Sequence, residues 1–491
     1  MTGTYSSYDA LGLAELVRGG DASPAELLEQ AIARAEAVND KVGAIIRPLY
    51  DFGRTRAAEN PSGPFGGVPF LLKDLMQTIA GIPTGSGSRL LQNHTPTADT
   101  ELYQRFCDAG LVVFGKTNTP EFGILPVTEP DVAPPTRNPW DLSRTCGGSS
   151  GGAGAAVAAG IVPMAHAGDG GGSIRIPASC AGLFGFKPTR ARTPGGPIEH
   201  WSGFALEHVI SRSVRDSAAA LDAVEGPQLQ QPYYPPPKAG PYRDEVGRDP
   251  GKLRIAFTSK APMPSKVHPD CIAAMESTAK LLEELGHDVE EIDPRYDARA
   301  NARHFVLVVG ANTATAIRDA EIKVGRKARF EDLQLTTWLS AAVGHAYRAS
   351  EFVRAKRALH EEAARMAERM QSYDLLLTPT LGQPPVRIGE LEPSAGERRV
   401  QELLVRTKLH SVARIDAVME RTISEVFQFI AFTPFANFSG QPAMSVPLHW
   451  NDAGLPIGTM LAAPFGRDDL LFRVAAQLEE ARPWRDRRPT L

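Results

Sequence analysis

Residues 146–192, CGGSSGGAGAAVAAGIVPMAHAGDGGGSIRIPASCAGLFGFKPTRAR, restrict what this chain can become more than any other stretch. Two serine clusters stand in glycine: Ser149-Ser150 between glycine pairs, and Ser173 behind Gly170, Gly171 and Gly172. Between them, residues 153–160 are Ala, Val and Gly at helical spacing, with almost no polar atoms. That composition predicts a buried helix whose small side chains let the flanking loops approach each other closely. A glycine run ahead of a serine also has a chemical use. Its successive backbone N–H groups, unobstructed by side chains, can converge on an oxygen that becomes negative. Ser173 is then the expected nucleophile, and Gly170, Gly171 and Gly172 its expected oxyanion hole.

GGSSGG, DGGGSIRIPA and the closing GLFGFKPT resemble the signature of the amidase signature family. The resemblance extends over most of the chain through FGGVPFLLKD, GKTNTPEFG, TRNPW, SGQPAMSVP and GLPIG. It implies a Ser–cis-Ser–Lys triad in which Ser173 is the nucleophile, Ser149 the bridging serine held by a cis peptide, and Lys73 of GVPFLLKDL the base. The implied fold is α/β: a single large α/β/α domain over residues 1–491 with a central mixed sheet, a signature core at about 60–215 and a helical excursion at about 297–371. NTPEFG, VTEP, SGQPAMSVP and AAQLEEARPW are most similar to the aminohexanoate cyclic-dimer hydrolase branch. One departure lies inside the site: the position after Asp169 is usually larger in the family and is Gly170 here, which predicts a looser oxyanion loop.

The chemistry this implies has physical requirements. Serine is a poor nucleophile until a base takes its proton, and a neutral lysine acting through a second serine is a relative of other Ser–Lys arrangements. To be neutral near pH 7, Lys73 must lose roughly three units of pKa, which burial can supply. Asp169 is expected to be structural, accepting backbone N–H bonds that fix the loop; Arg175 and Ser150 are expected in supporting roles, Arg175 opposite a carboxylate. An isolated lysine at a strand end more often meets solvent or a carboxylate, and Asp74 is adjacent.

Composition narrows the setting. The net charge is −4 and no basic block is present, so no nucleic-acid partner is expected. Cys107, Cys146, Cys180 and Cys271 lack CxxC or zinc-ligand spacing, as expected of reduced thiols in a cytoplasmic protein. MTGTYSSYDALGLAE has neither a basic nor an apolar leader region. The longest apolar run, 153–167, is interrupted by Gly160 and Pro163 and is short of a membrane span. The eleven histidines show no HExxH spacing, so neither metal nor cofactor is expected. In a cytoplasmic protein the sequons at Asn93 and Asn437 carry no meaning. The expected partner is a small-molecule amide or carbamate, and the expected state a monomer or homodimer.

In chain order, residues 6–40 predict two amphipathic helices, the second opened by a Ser23–Glu26 capping box with Pro24 at the first position. Val68–Leu72 reads as a buried strand ending at Lys73, Thr97–Ala109 as a helix and Leu111–Gly115 as a strand, a βαβ-like alternation that predicts a mostly parallel sheet. Residues 123–146, with five prolines, read as a long ordered loop over the site. Ser211–Glu225 reads as a helix capped by Ser213, and 226–250 as a proline-rich surface excursion. Leu253–Phe257, His268–Leu285 with Gly286 behind it, and Asp288–Ile292 form an α/β unit. Residues 297–371 read as helical, with the charge-rich part 354–370 a solvated face. Leu375–Leu377 and Met444–Val446 read as strands, and Asp468–Arg482 as a closing helix.

Competing motifs fit less well. Gly147–Gly151 matches GxSxG, but the nucleophile elbow needs a strand directly before it, and Asn138-Pro139-Trp140-Asp141 stands nearby instead. Ser277–Lys280 matches SxxK in a surface-type helix with no KTG in a fitting place, and no GxxxxGK supports a phosphate cradle. The expectation is a serine hydrolase of C–N bonds in small, neutral, moderately hydrophobic amides, carbamates or anilides, working through an acyl-enzyme. Two alternatives stand beside it: the A subunit of the amidotransferase that makes glutaminyl-tRNA, and a catalytically dead scaffold of the same fold.

Overall fold

The chain forms thirteen strands in the computed structural model, which describes residues 5–195, 200–229 and 231–491, the side chains at 417, 418, 422 and 425 excepted. Residues 1–4 of the segment read for a leader, 196–199 of the signature core and 230 of the proline-rich excursion lie outside the described residues. The strands are β1 (Ile45–Pro48), β2 (Pro69–Lys73), β3 (Val112–Thr117), β4 (Arg137–Asn138), β5 (Asp141–Thr145), β6 (Met164–Asp169), β7 (Phe184–Lys187), β8 (Leu206–Ser211), β9 (Arg254–Phe257), β10 (Asp288–Glu291), β11 (Leu375–Pro379), β12 (Ala443–Trp450) and β13 (Pro456–Ala462).

Eight of these form one mixed sheet in the order β10-β9-β11-β13-β12-β7-β8-β6, and β1-β3-β2 form a second. The predicted βαβ unit exists, with β2 and β3 parallel. The expectation of a mostly parallel sheet does not hold for the large one. Only β10–β9 and β9–β11 run parallel there; the remaining neighbours are antiparallel. A parallel neighbour needs a long crossover, supplied between β9 and β10 by Pro269–Glu284, whereas β12 returns into β13 through the short turn 451–455.

Local chemistry explains the helices. Ser23 Oγ accepts the Glu26 N–H at 3.2 Å and Glu26 accepts the Ser23 N–H at 2.8 Å, closing the box that starts Pro24–Val42. Ser213 Oγ caps Val214–Val224 by accepting the Asp216 N–H. The predicted helix at 97–109 begins only at Glu101, because Asp99 instead accepts the Ala80 N–H and Thr100 Oγ1 donates to Gln77. The helical excursion is present as Ala298–Val324, Leu335–Ala346 and Ala349–Arg369. The 123–146 segment is not wholly irregular: it contains the β4–β5 ladder.

The helix between the serine clusters, Gly151–Ala158, is buried at every residue, as its composition predicts. It packs in an apolar core with β2, β3 and β6 that includes Phe70, Leu72, Phe114, Val157 and Met164. A second core lies around β7, β12 and the closing helix Asp468–Ala481, where Phe186 and Phe472 stack at 4.2 Å. All four cysteines are free thiols. Among the described residues no helix is long and apolar enough to cross a membrane.

Candidate active site

Strand β2 delivers Lys73 into the interior, where it is 1% exposed. Its Nζ lies 2.8 Å from Ser149 Oγ and 2.9 Å from Ser150 Oγ. Asp74 does not pair with it. Successive strand residues point to opposite sides, and Asp74 faces Lys116 of β3 at 3.5 Å. With no carboxylate at contact distance among the described residues, burial dominates and pushes Lys73 down to about 8, while Glu207 and Asp169 pull it partly back. About one lysine in ten is then neutral at pH 7.

The two serines beside Lys73 are not equivalent. Ser150 Oγ donates to the Gly168 carbonyl at 3.1 Å and accepts the Gly168 N–H at 3.3 Å, so its proton is committed. Ser149 follows a cis Gly148–Ser149 peptide bond. Lys73 is the one partner of its hydroxyl among the described residues, which leaves that proton available for transfer. The lysine can hold Ser150 with an N–H and keep its lone pair for the Ser149 proton.

Ser173 sits between β6 and the helix Arg175–Ala181 and is 7% exposed. The loop bearing Ser149 reaches this helix because Gly147 has φ +79° and no side chain. A β-carbon there would stand 3.1 Å from Ile176 Cγ2 and Pro177 Cα. The loop bearing Ser149 therefore packs against the helix that follows Ser173.

Asp169 and Arg175 form the frame under Ser173. Asp169 accepts the N–H of Gly172 at 2.7 Å and of Ile174 at 3.2 Å. Arg175 meets it in a fork, Nε to Oδ2 at 3.0 Å and an η nitrogen to Oδ1 at 2.9 Å. Burial would raise the Asp169 carboxyl, but Arg175 and Asn437 hold it at about 2. Asn437 donates to Asp169 at 2.8 Å and accepts from Arg175 at 2.7 Å. This sequon asparagine is thus a buried member of the frame. Asp169→Ala leaves the Arg175 guanidinium buried and unpaired, with an expected loss of about 3–5 kcal/mol of stability in urea unfolding; a loss under 1 kcal/mol would remove the frame role.

The expected oxyanion hole needs one correction. The Gly172 N–H already points at Asp169, so Gly170 and Gly171 remain as candidate donors. Thr433 Oγ1 donates to the Gly171 carbonyl at 2.7 Å, in the peptide unit whose N–H is the Gly172 donor to Asp169. At Gly170 the Trp201 indole lies close: a β-carbon there would stand 3.0 Å from Trp201 Cε3. Phe305 lies over Gly171 in the same way and stacks on Phe204. Trp201 and Thr433 carry no local motif, and Asn437 is marked in the sequence only as a sequon, so none of the three is expected at the site. Among the apolar side chains of the neighbouring segments, Phe305 reaches the glycine loop. Phe122 is packed with Leu90, Leu91 and Ile317, and Val127 and Val308 with Ile176 and Phe427.

A buried lysine on one serine, with a second serine beside unencumbered amides, can pass a proton and gather a negative oxygen, which are the needs of acyl transfer. The Amidase family model matches residues 26–472. The chain belongs to this family and is an amidase, a hydrolase of non-peptide C–N bonds. It is 39% identical to the 6-aminohexanoate-cyclic-dimer hydrolase of Paenarthrobacter ureafaciens over 98% of this chain and 96% of that one. The structure of 6-aminohexanoate cyclic dimer hydrolase complexed with substrate superposes with a TM-score of 0.91 at 37% identity, covering 99% of both chains. A bacterial aryl acylamidase of the amidase signature family superposes at 0.84 and 26% identity, over 97% of this chain and 96% of that one.

Proposed function

We propose that this protein hydrolyses small, neutral, moderately hydrophobic amides through an acyl-enzyme, with Ser173 as nucleophile, Ser149 as relay and Lys73 as base. The observation that carries the reading is the 2.8 Å contact between Lys73 Nζ and Ser149 Oγ in a site where burial lowers the lysine's pKa. Neutral Lys73 takes the Ser149 proton as Ser149 takes that of Ser173. The Ser173 oxygen forms a bond to the amide carbon, and the carbonyl π pair moves onto oxygen, facing the N–H groups of Gly170 and Gly171. Collapse breaks the C–N bond, and the departing nitrogen receives the proton back from Lys73 through Ser149. Water then repeats the sequence on the ester and frees the acid.

Aromatic Trp201 and Phe305 against the glycine loop favour an uncharged, apolar substrate body held largely by desolvation. The similarity to the cyclic-dimer hydrolase supports cyclic or linear amides of ω-amino acids, and that to the aryl acylamidase supports anilides; aryl carbamates fit the same chemistry. The test is a panel on the purified protein that includes matched neutral and anionic amides. The neutral member is expected to lead in kcat/KM by roughly tenfold or more, since a carboxylate would enter without a partner. A preference for the anionic member would overturn the pocket assignment and leave the triad standing.

A further inference from the structure

One buried acid has no part in the chemistry above. Glu207 pairs with Gly168 across β8 and β6, and its side chain is 2% exposed. Its carboxylate lies against Gly168, the residue that holds Ser150: a β-carbon on Gly168 would stand 2.6 Å from Glu207 Oε1. Glu207 Oε2 is 2.8 Å from His166 Nε2, close in distance although the two are not aligned as a straight hydrogen bond. His166 is fully buried, and its Nδ1 accepts the backbone N–H of Lys73 at 3.2 Å. An accepting Nδ1 places the proton of the neutral ring on Nε2, toward the carboxylate. Lys73, His166 and Glu207 therefore form a buried chain across β2, β6 and β8.

Two other described acids near the site, Asp169 and Asp74, are already matched with cations. Asp169 is engaged by the Arg175 fork and Asp74 faces Lys116. Among the described residues Glu207 makes no ion pair with a lysine or arginine, and its one charged-type contact is His166. The charges that act on Lys73 are Glu207 from β8 and Asp169 from β6. Those facing Glu207 are His166, Lys73 and His200, whose imidazole is lowered by burial and drawn back by Glu207.

We infer that Glu207, placed through His166, is a positioning residue for the reaction: it is the counter-charge the site keeps for the lysinium that exists while Ser173 is being acylated. The inference rests on the reading of Lys73 as proton carrier. Lys73 goes from neutral to positive on taking the Ser149 proton and returns to neutral when that proton reaches the departing nitrogen. A fixed negative group stabilises the positive interval without moving, and in a water-poor interior it acts over a longer range than in solvent. The same group raises the cost of the neutral lysine needed at the start, so the site trades resting base for a stabilised intermediate.

The test is the pH profile of kcat/KM for the wild type, Glu207→Gln, Glu207→Met and Glu207→Asp, with circular dichroism to select folded variants. Removing the charge is expected to move the limb on which activity rises with pH to lower pH by roughly one unit, and to cut kcat on the alkaline plateau about tenfold. Glu207→Asp keeps the charge and is expected to leave the limb in place. A merely structural role lowers activity without moving the limb. A limb unmoved or moved upward in the folded neutral variant, or moved equally in Glu207→Asp, overturns the inference. Lys73→Ala in the same series separates the two ideas: turnover surviving that change sinks the lysine reading, whereas an inactive Lys73→Ala with an unmoved limb in Glu207→Gln sinks this inference alone.

Discussion

Ser173→Ala is expected to lower amide turnover by on the order of 10^5-fold or more, the scale on which a hydrolase loses rate when its serine nucleophile is removed. The fold should persist. Ser173 is 7% exposed and its hydroxyl has no partner among the described residues, so its removal strands no buried donor or acceptor. The frame of Asp169, Arg175 and Asn437 beneath it is untouched. Intact mass after reaction with a fluorophosphonate is expected to show one adduct, located at Ser173 by peptide mapping and absent from the alanine variant. An adduct on Ser149 would instead make the GxSxG serine the nucleophile. Persistence of a modified serine also excludes the dead-scaffold alternative directly.

Lys73→Ala is expected to cost roughly 10^3–10^4 in kcat, the contribution of a general base. Lys73→Arg should give no rescue, because a guanidinium stays protonated across the accessible pH range. The sign of the pH dependence follows from the environment. Burial is the largest influence and lowers the folded pKa to about 8, so the active neutral form grows as pH rises through 8 and saturates above it. Activity in the wild type is therefore expected to climb from pH 7 to pH 9 and to hold into the alkaline range. A profile flat from pH 6 to pH 9, or an active Arg variant, would remove the proton-transfer role from Lys73.

The elements most legible in the sequence were those whose signal is local. The capping box at Ser23–Glu26, the strand into Lys73, the buried small-residue helix and the 253–292 unit all carry periodicity or turn residues that need no tertiary context. Strand β8 was missed for a physical reason. LEHVIS contains two ionisable residues, and both Glu207 and His208 are buried, so the strand shows neither an alternating pattern nor a continuous apolar run. The strand carrying Glu207 was therefore invisible until its neighbours on β6 were in place.

By itself the sequence determined the candidate chemistry: the serines in their glycine settings, the lysine at the end of an apolar run and the acid four positions before Ser173. These follow from residue type and short spacing, and the family resemblance rests on the same letters. The tertiary structure decided which proton is free. Ser149 and Ser150 are adjacent and alike in the chain, yet Gly168, eighteen residues further on, engages Ser150 and leaves Ser149 to the lysine. It also decided that Gly172 serves the frame, that Trp201 fills the space over Gly170, and that Asn437 completes the pair beneath Ser173. Each of these is a contact between segments distant in sequence. Such contacts depend on how strands pair and loops close, and short-range spacing carries no information about either.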